Sequence, residues 1–135
     1  MVIILQILYD FSMTKIAIIE DDSVISQMYR MKFEAEGYEV QLAANGKIGV
    51  DLVAAFKPDI ILLDLQMPEM GGAEALGIIR KTEIGKNIPV IVLTNMGEEE
   101  APKSIQSLGV QSYIVKANLT PREVAAKVKE ALGLA

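Results

Sequence analysis

The sequence predicts an α/β fold in which a five-stranded parallel sheet carries helices on both of its faces. Three observations point there: five short apolar, β-branched runs recur along the 135 residues, segments of helical period separate them, and the connections are short. The composition agrees. Hydrophobic residues make up 51% of the chain but aromatics only 5%, with the weight on Ile, Leu, Val and Ala that a sheet covered on both faces requires.

The apolar runs occupy residues 16–19, 38–42, 60–63, 90–93 and 113–115, and each reads as a strand. In the first intervening segment Val24, Met28, Met31 and Ala35 fall at i, i+4, i+7 and i+11, which puts them on one helical face, and Gly37 closes the helix. The second helix is expected over residues 45–56, stopping before Pro58. A third covers residues 73–81 after the Gly71-Gly72 break. The fourth carries Ala101, Ile105 and Leu108 at i, i+4 and i+7 before Gly109. The last has the clearest start: Thr120-Pro121-Arg122-Glu123 supplies an N-cap, a proline at the first helical position and a capping-box glutamate. The seven methionines fall mostly at core spacing and are given no cofactor role.

Five βα units with such short connections imply right-handed crossovers and a parallel sheet. The length fits one domain, taken as residues 13–135. Residues 1–12 are apolar but too short to span a bilayer, and no Lys or Arg precedes Lys15, so they lack the charged leader of a signal peptide. Met13 opens a well-formed start, so residues 1–12 read either as the product of an upstream start codon or as an added edge strand or docking segment.

Charge and composition exclude several function classes. With 13 Lys and Arg against 18 Asp and Glu the net charge is −5, which opposes non-specific attraction to nucleic acid or an anionic membrane. There is no cysteine, and therefore no disulfide, thiolate metal site or cysteine nucleophile. Nor is there histidine, which removes imidazole bases, His-ligated metals and the usual catalytic triad. Chemistry must come from carboxylates, hydroxyls and lysines.

In doubly wound sheets ligands bind beyond the carboxyl ends of the strands, so the residues that follow each run matter most. The first run ends in Glu20-Asp21-Asp22, three adjacent acids that repel one another unless a cation or water screens them. Asp22 is read as the cap of the following helix. The third run ends in Asp64, and two carboxylate clusters closing neighbouring parallel strands form a hard-oxygen pocket suited to Mg²⁺. Nothing resembles the alternating acidic loop of an EF-hand, which argues against Ca²⁺. The fourth run ends in Thr94 and the fifth in Lys116. They add a hydroxyl and a fixed cation to the same rim, so that together these groups suit the binding and transfer of a phosphoryl group.

At this point the chain, over residues 14–132, resembles the receiver domain of two-component response regulators, a flavodoxin-like (βα)5 fold. Four segments in order carry the resemblance: Ile18-Ile19-Glu20-Asp21-Asp22; Leu63-Asp64-Leu65-Gln66-Met67-Pro68-Glu69-Met70-Gly71-Gly72; Val92-Leu93-Thr94; and Tyr113-Ile114-Val115-Lys116. The resemblance implies that Asp64 is the phosphoacceptor, and that Asp21, Asp64 and the backbone carbonyl of Gln66 ligate Mg²⁺ while Glu20 acts through a water. It implies that Lys116 pairs with one phosphoryl oxygen and Thr94 donates to another. Tyr113 is either the aromatic whose inward turn follows Thr94 or a half-buried strand aromatic.

The partners implied are a sensor histidine kinase or histidine phosphotransfer protein upstream, and a protein target downstream through the face of the fourth helix, fifth strand and fifth helix. No direct contact with nucleic acid or membrane is expected. Because the chain ends one helix after Lys116, it is expected to signal by binding alone, and the missing leader together with the family places it in the cytoplasm. Two enzyme-like or enzyme-free alternatives compete. An aspartyl-phosphate phosphotransferase or phosphohydrolase of the haloacid dehalogenase type usually has a second Asp where this chain has Gln66, and a degenerate receiver acting only as a binding module would lack an acceptor or a metal ligand. The chain departs from the family pattern at Ala117, where proline usually follows the lysine and a trans peptide is now expected, and at Asn95, where a small residue usually follows the threonine. Glu98-Glu99-Glu100 is expected in a loop or first helical turn.

Overall fold

The computed structural model describes residues 14–134; the expectation for residues 1–12 lies outside them. Strand and helix alternate: β1 (Lys15–Ile19), α1 (Ser23–Ala35), β2 (Glu39–Ala43), α2 (Gly46–Phe56), β3 (Ile60–Leu63), α3 (Gly72–Arg80), β4 (Val90–Thr94), α4 (Ser104–Ser107), β5 (Ser112–Val115) and α5 (Pro121–Leu132). Short 3-10 turns, Glu98–Glu100 and Lys116–Asn118, follow β4 and β5. All strands pair in parallel in the order β2-β1-β3-β4-β5. The order reverses direction at β1 and β3, which opens the crevice at their carboxyl ends.

Side chains alternate across each strand, so β1 serves two cores at once. Ile16 and Ile18 join Tyr29 and Phe33 of α1 and Val124 and Val128 of α5 on one face. Ala17 and Ile19 join Val53 of α2, Leu76 and Ile79 of α3 and Ile105 of α4 on the other. Both faces of the sheet are therefore covered, as the apolar runs require.

The helix caps follow from the sequence. The Asp22 side chain accepts hydrogen bonds from the amides of Val24 at 2.9 Å and Ile25 at 3.2 Å. Asn45 caps α2 through the Ile48 amide, and Thr120 with Glu123 closes a reciprocal capping box on α5.

Two expectations need correction. Val24, Met28 and Met31 do share a face, but it is the solvent face: Val24 is 77% and Met31 70% exposed. The helix carries a second apolar row, Ile25, Tyr29 and Phe33, and that row turns inward because its aromatics bury far more area. Phe33 is fully buried between the rings of Tyr29 and Tyr38, at 5.9 and 5.8 Å between centroids. Among the described residues Met28 and Met31 are exposed, whereas Met67 and Met96 are partly buried against the second core, so spacing misplaced the α1 methionines only.

The second correction concerns the fourth helix, which does not run from Ala101 to Leu108. Pro102 forces the residue before it out of the helical region, and Ala101 is extended, with ψ 149°. The three glutamates form a separate 3-10 turn, and α4 keeps only four residues.

Candidate functional site

The register of the central strands builds the site. Ile19 of β1 lies opposite Leu63 of β3, so the next residues, Glu20 and Asp64, leave the sheet side by side. Backbone bonds fix both: the Asp64 amide donates to Ile19 O at 3.0 Å and the Glu20 amide to Ala43 O at 2.9 Å. The third acid, Asp21, is exposed, whereas Glu20 and Asp64 are each only 5% exposed. Carboxylate oxygens of Glu20, Asp21 and Asp64 lie within 4.8 Å of one another. All the donors are hard oxygens, which fits Mg²⁺.

Lys116, at the end of β5, reaches across this rim. Its Nζ lies 2.5 Å from Glu20 Oε1 and 3.4 Å from Asp64 Oδ2. Burial pushes the Glu20 carboxyl up, the Lys116 contact and the Asp22 amide pull it down, and Asp64 pushes it up again; the result is about 7. For Lys116 burial acts downward, but hydrogen bonding to Glu20 and the charges of Asp64 and Glu20 win, and its ammonium is held above the usual lysine range.

The loop after β3 is held tightly. A Cβ on Gly72 would lie 2.1 Å from Asp64 O and one on Gly46 2.5 Å from Met70 O, so both positions exclude any side chain. The Gly72 amide donates to Leu65 O, and the Gly46 amide to Met70 O, each at 3.1 Å. The Gln66 amide donates to Asp64 Oδ1 at 3.2 Å, while the Gln66 residue itself is exposed.

Thr94 is the last residue of β4 and is fully buried, with its Oγ1 3.4 Å from the Met96 amide; among the described residues no hydrogen bond joins it to Asp64 or Lys116. Tyr113 is half-buried, and its hydroxyl donates to Met96 O at 2.8 Å, with Gly97 O at 3.4 Å. Burial, then Glu98, Glu99, Glu100 and Asp64, push its phenol upward, so it remains a donor. No described peptide bond is cis, which agrees with the trans bond expected before Ala117.

The model of the response regulator receiver domain matches residues 16–129. The chain belongs to that family. This receiver is 34% identical over 122 residues to the polar-differentiation response regulator DivK of Brucella ovis, with 90% of this chain and 98% of that protein covered. It is also 34% identical over 117 residues to the phosphate regulon transcriptional regulatory protein PhoB of Pseudomonas aeruginosa, covering 87% of this chain but only 51% of PhoB. The receiver thus spans about half the length of such regulators and nearly all of DivK. Among solved structures, a CheY-like receiver domain protein from Methanospirillum hungatei superposes with a TM-score of 0.82 at 29% identity, over 90% of this chain and 94% of that one. The response regulator TrrA of Thermotoga maritima, determined in complex with Mg²⁺ and BeF, superposes at 0.77 and 28% identity, over 88% and 99%.

Sequence reasoning brought Glu20, Asp21, Asp64 and Lys116 to one rim; there the three acids lie within 4.8 Å of one another, and Lys116 contacts Glu20 and Asp64. It missed the direct Glu20–Lys116 pair, which pattern alone does not reveal because β1 and β5 lie on opposite sides of β3 and β4. It also missed the Tyr113 latch on the loop after β4 and the close approach of Gly72 to Asp64. For the latter the Gly71-Gly72 pair was the available signal.

Proposed function

We propose that this receiver accepts a phosphoryl group on Asp64 from a phosphohistidine of a sensor kinase or phosphotransfer protein. An Asp64 oxygen attacks phosphorus, the N–P bond breaks, and an acyl phosphate forms while the histidine leaves as imidazole. The observation that carries this reading is the position of Asp64: buried at the end of β3, within 4.8 Å of two further acids, and 3.4 Å from an ammonium.

Glu20, Asp21, Asp64 and the carbonyl of Gln66 would hold Mg²⁺, Glu20 through a water; bound there, the ion neutralises acids that would otherwise repel the phosphoryl group. Lys116 exchanges part of its contact with the acids for a phosphoryl oxygen, and Thr94 donates its hydroxyl to another. Water attack on the acyl phosphate later restores the carboxylate. Tyr113 reports the change, because its hydroxyl already holds the loop that follows Thr94. The downstream protein docks on the face of α4, β5 and α5, and the net charge of −5 disfavours direct nucleic-acid contact. No described helix is long and apolar enough to cross a membrane, in keeping with action in the cytoplasm.

Incubation with acetyl phosphate and Mg²⁺, followed by intact-mass measurement, tests the reading. A single phosphoryl adduct is expected, lost in Asp64→Asn while the fold persists. Multiple turnover would favour a phosphohydrolase, no reaction a bare binding module, and an adduct on another residue would overturn the acceptor assignment.

A further inference from the structure

Arg80, the last residue of α3, makes four hydrogen bonds, and all of them go to main-chain carbonyls. Nε donates to Leu108 O at 2.7 Å and Nη2 to Gly109 O at 3.0 Å. Nη1 donates to Ile88 O at 2.7 Å and Gly85 O at 2.8 Å. Among the described residues no carboxylate pairs with it. The partners fall into two groups: the end of α4 (Leu108 and Gly109), and the connection from α3 to β4 (Gly85 and Ile88).

The carbonyls at a helix C-terminus lack intrahelical partners, and here a fixed guanidinium satisfies them in place of water. Gly109, at φ +77°, turns the chain out of α4 toward β5 at this point. The other end of α4 is held differently. Residues 95–103 include the three exposed glutamates of the 3-10 turn and an extended Ala101, and their side-chain ties among the described residues are the Tyr113 hydroxyl on Met96 O, the Met96 amide on Thr94 Oγ1 at 3.4 Å and an exposed Gln106–Glu98 contact at 3.2 Å. Between the two ends Ile105 is buried in the sheet's second core.

We infer that Arg80 is a positioning residue for the switch, anchoring the carboxyl end of α4 to α3 so that α4 pivots about Leu108 and Gly109 when its amino end moves. This rests on the switch reading above, in which Thr94 and Tyr113 move with phosphorylation. An input at residues 94–97 then becomes a rotation rather than a translation, and the displacement is greatest on the acidic Glu98–Glu100 turn. Two charge-assisted bonds, to Leu108 O and Gly109 O, hold one end to a guanidinium that two further bonds fix on Gly85 O and Ile88 O, whereas the other end has only neutral or exposed side-chain ties, so the amino end yields first.

Amide shifts and hydrogen exchange, measured by NMR with and without Mg²⁺ and beryllofluoride, test this in the parent and in Arg80→Lys. In the parent, beryllofluoride should move the amides of residues 95–103 and leave those of 108–110 unchanged. A lysine cannot span four carbonyls, so in Arg80→Lys without ligand the amides of residues 108–111 should exchange at least about tenfold faster. Beryllofluoride should then move them together with residues 95–103. Equal movement at both ends of α4 in the parent overturns the pivot while leaving the switch intact, as does unaltered exchange in Arg80→Lys. Movement confined to the surroundings of Asp64 overturns the switch reading, and the pivot falls with it.

Discussion

At the carboxyl ends of β1 and β3 each segment of main chain is tied to a neighbour: Asp64 to Ile19, Glu20 to Ala43, Gly72 to Leu65, Gly46 to Met70. At the ends of β4 and β5 the chain instead passes through two 3-10 turns and a helix of four residues, most of it exposed. The first region holds like charges at fixed separation, which a metal site requires and which only an unyielding backbone can sustain against their repulsion. The second has few buried contacts and so has other conformations within a small free-energy interval. A ligand moves such an equilibrium only by the difference in its affinity for the two states, so the loose side is where a modest change at Asp64 is able to register. One rim thus has a stiff half that carries the acids and a soft half that Tyr113 holds, and the proposed function places chemistry on the first and readout on the second.

The largest effect expected from breaking this division is on the stiff side. Gly72→Ala places a methyl carbon 2.1 Å from Asp64 O, a clash with main chain that no rotamer relieves. A loss of about 3 kcal/mol in urea unfolding is expected, with loss of Mg²⁺ affinity. A variant as stable as the parent would show that the β3–α3 loop is softer than its contacts imply.

A smaller effect comes from pH. The Glu20 carboxyl is raised to about 7 in the folded protein against 4.5 for the free group, so the fold favours its neutral form. Between those values the unfolded chain has already released the proton that the folded chain keeps. Stability therefore falls as pH rises from about 4.5 to 7 and levels off above that, by on the order of 1–2 kcal/mol without metal. Mg²⁺ should restore stability above pH 7 by mass action and lose its effect below it. Chemical unfolding at pH 5 and pH 8, with and without Mg²⁺, measures both; a flat profile would mean that Lys116 already neutralises Glu20 completely.

The smallest effect belongs to the soft side. Tyr113→Phe removes one neutral hydrogen bond to Met96 O and should cost about 1 kcal/mol. Its clearer signature is faster hydrogen exchange limited to residues 95–98, with residues 64–72 unaltered. Exchange that quickened on both sides would erase the contrast.

The sequence made the stiff half legible and the soft half less so, for a physical reason. Strands β1 and β3 are continuous apolar runs that end abruptly in acids, and parallel pairing leaves those acids nowhere to go but side by side. The helical spacing of Ala101, Ile105 and Leu108 was real as a pattern, yet one proline overrode it, and only Ile105 is buried. In α1, period alone could not choose between two apolar rows that differ in size; packing chose the aromatic one. Arg80 gave no sign at all, since a guanidinium that binds main-chain carbonyls leaves no complementary acid in the sequence.

The strand order also separates early-encoded pairings from late ones. β1 is flanked by β2 and β3, so its two neighbours are complete once residue 63 has been made, and β4 and β5 then add one after another to the open edge. Closing β3 onto β1 brings together residues 44 apart, as Lys15 and Asp59 are, and such non-local parallel pairing is slow. In any species that has closed β3 onto β1 but not yet added β5, Glu20 and Asp64 lie side by side without the Lys116 ammonium, so docking of the last strand relieves a repulsion that the first three strands create.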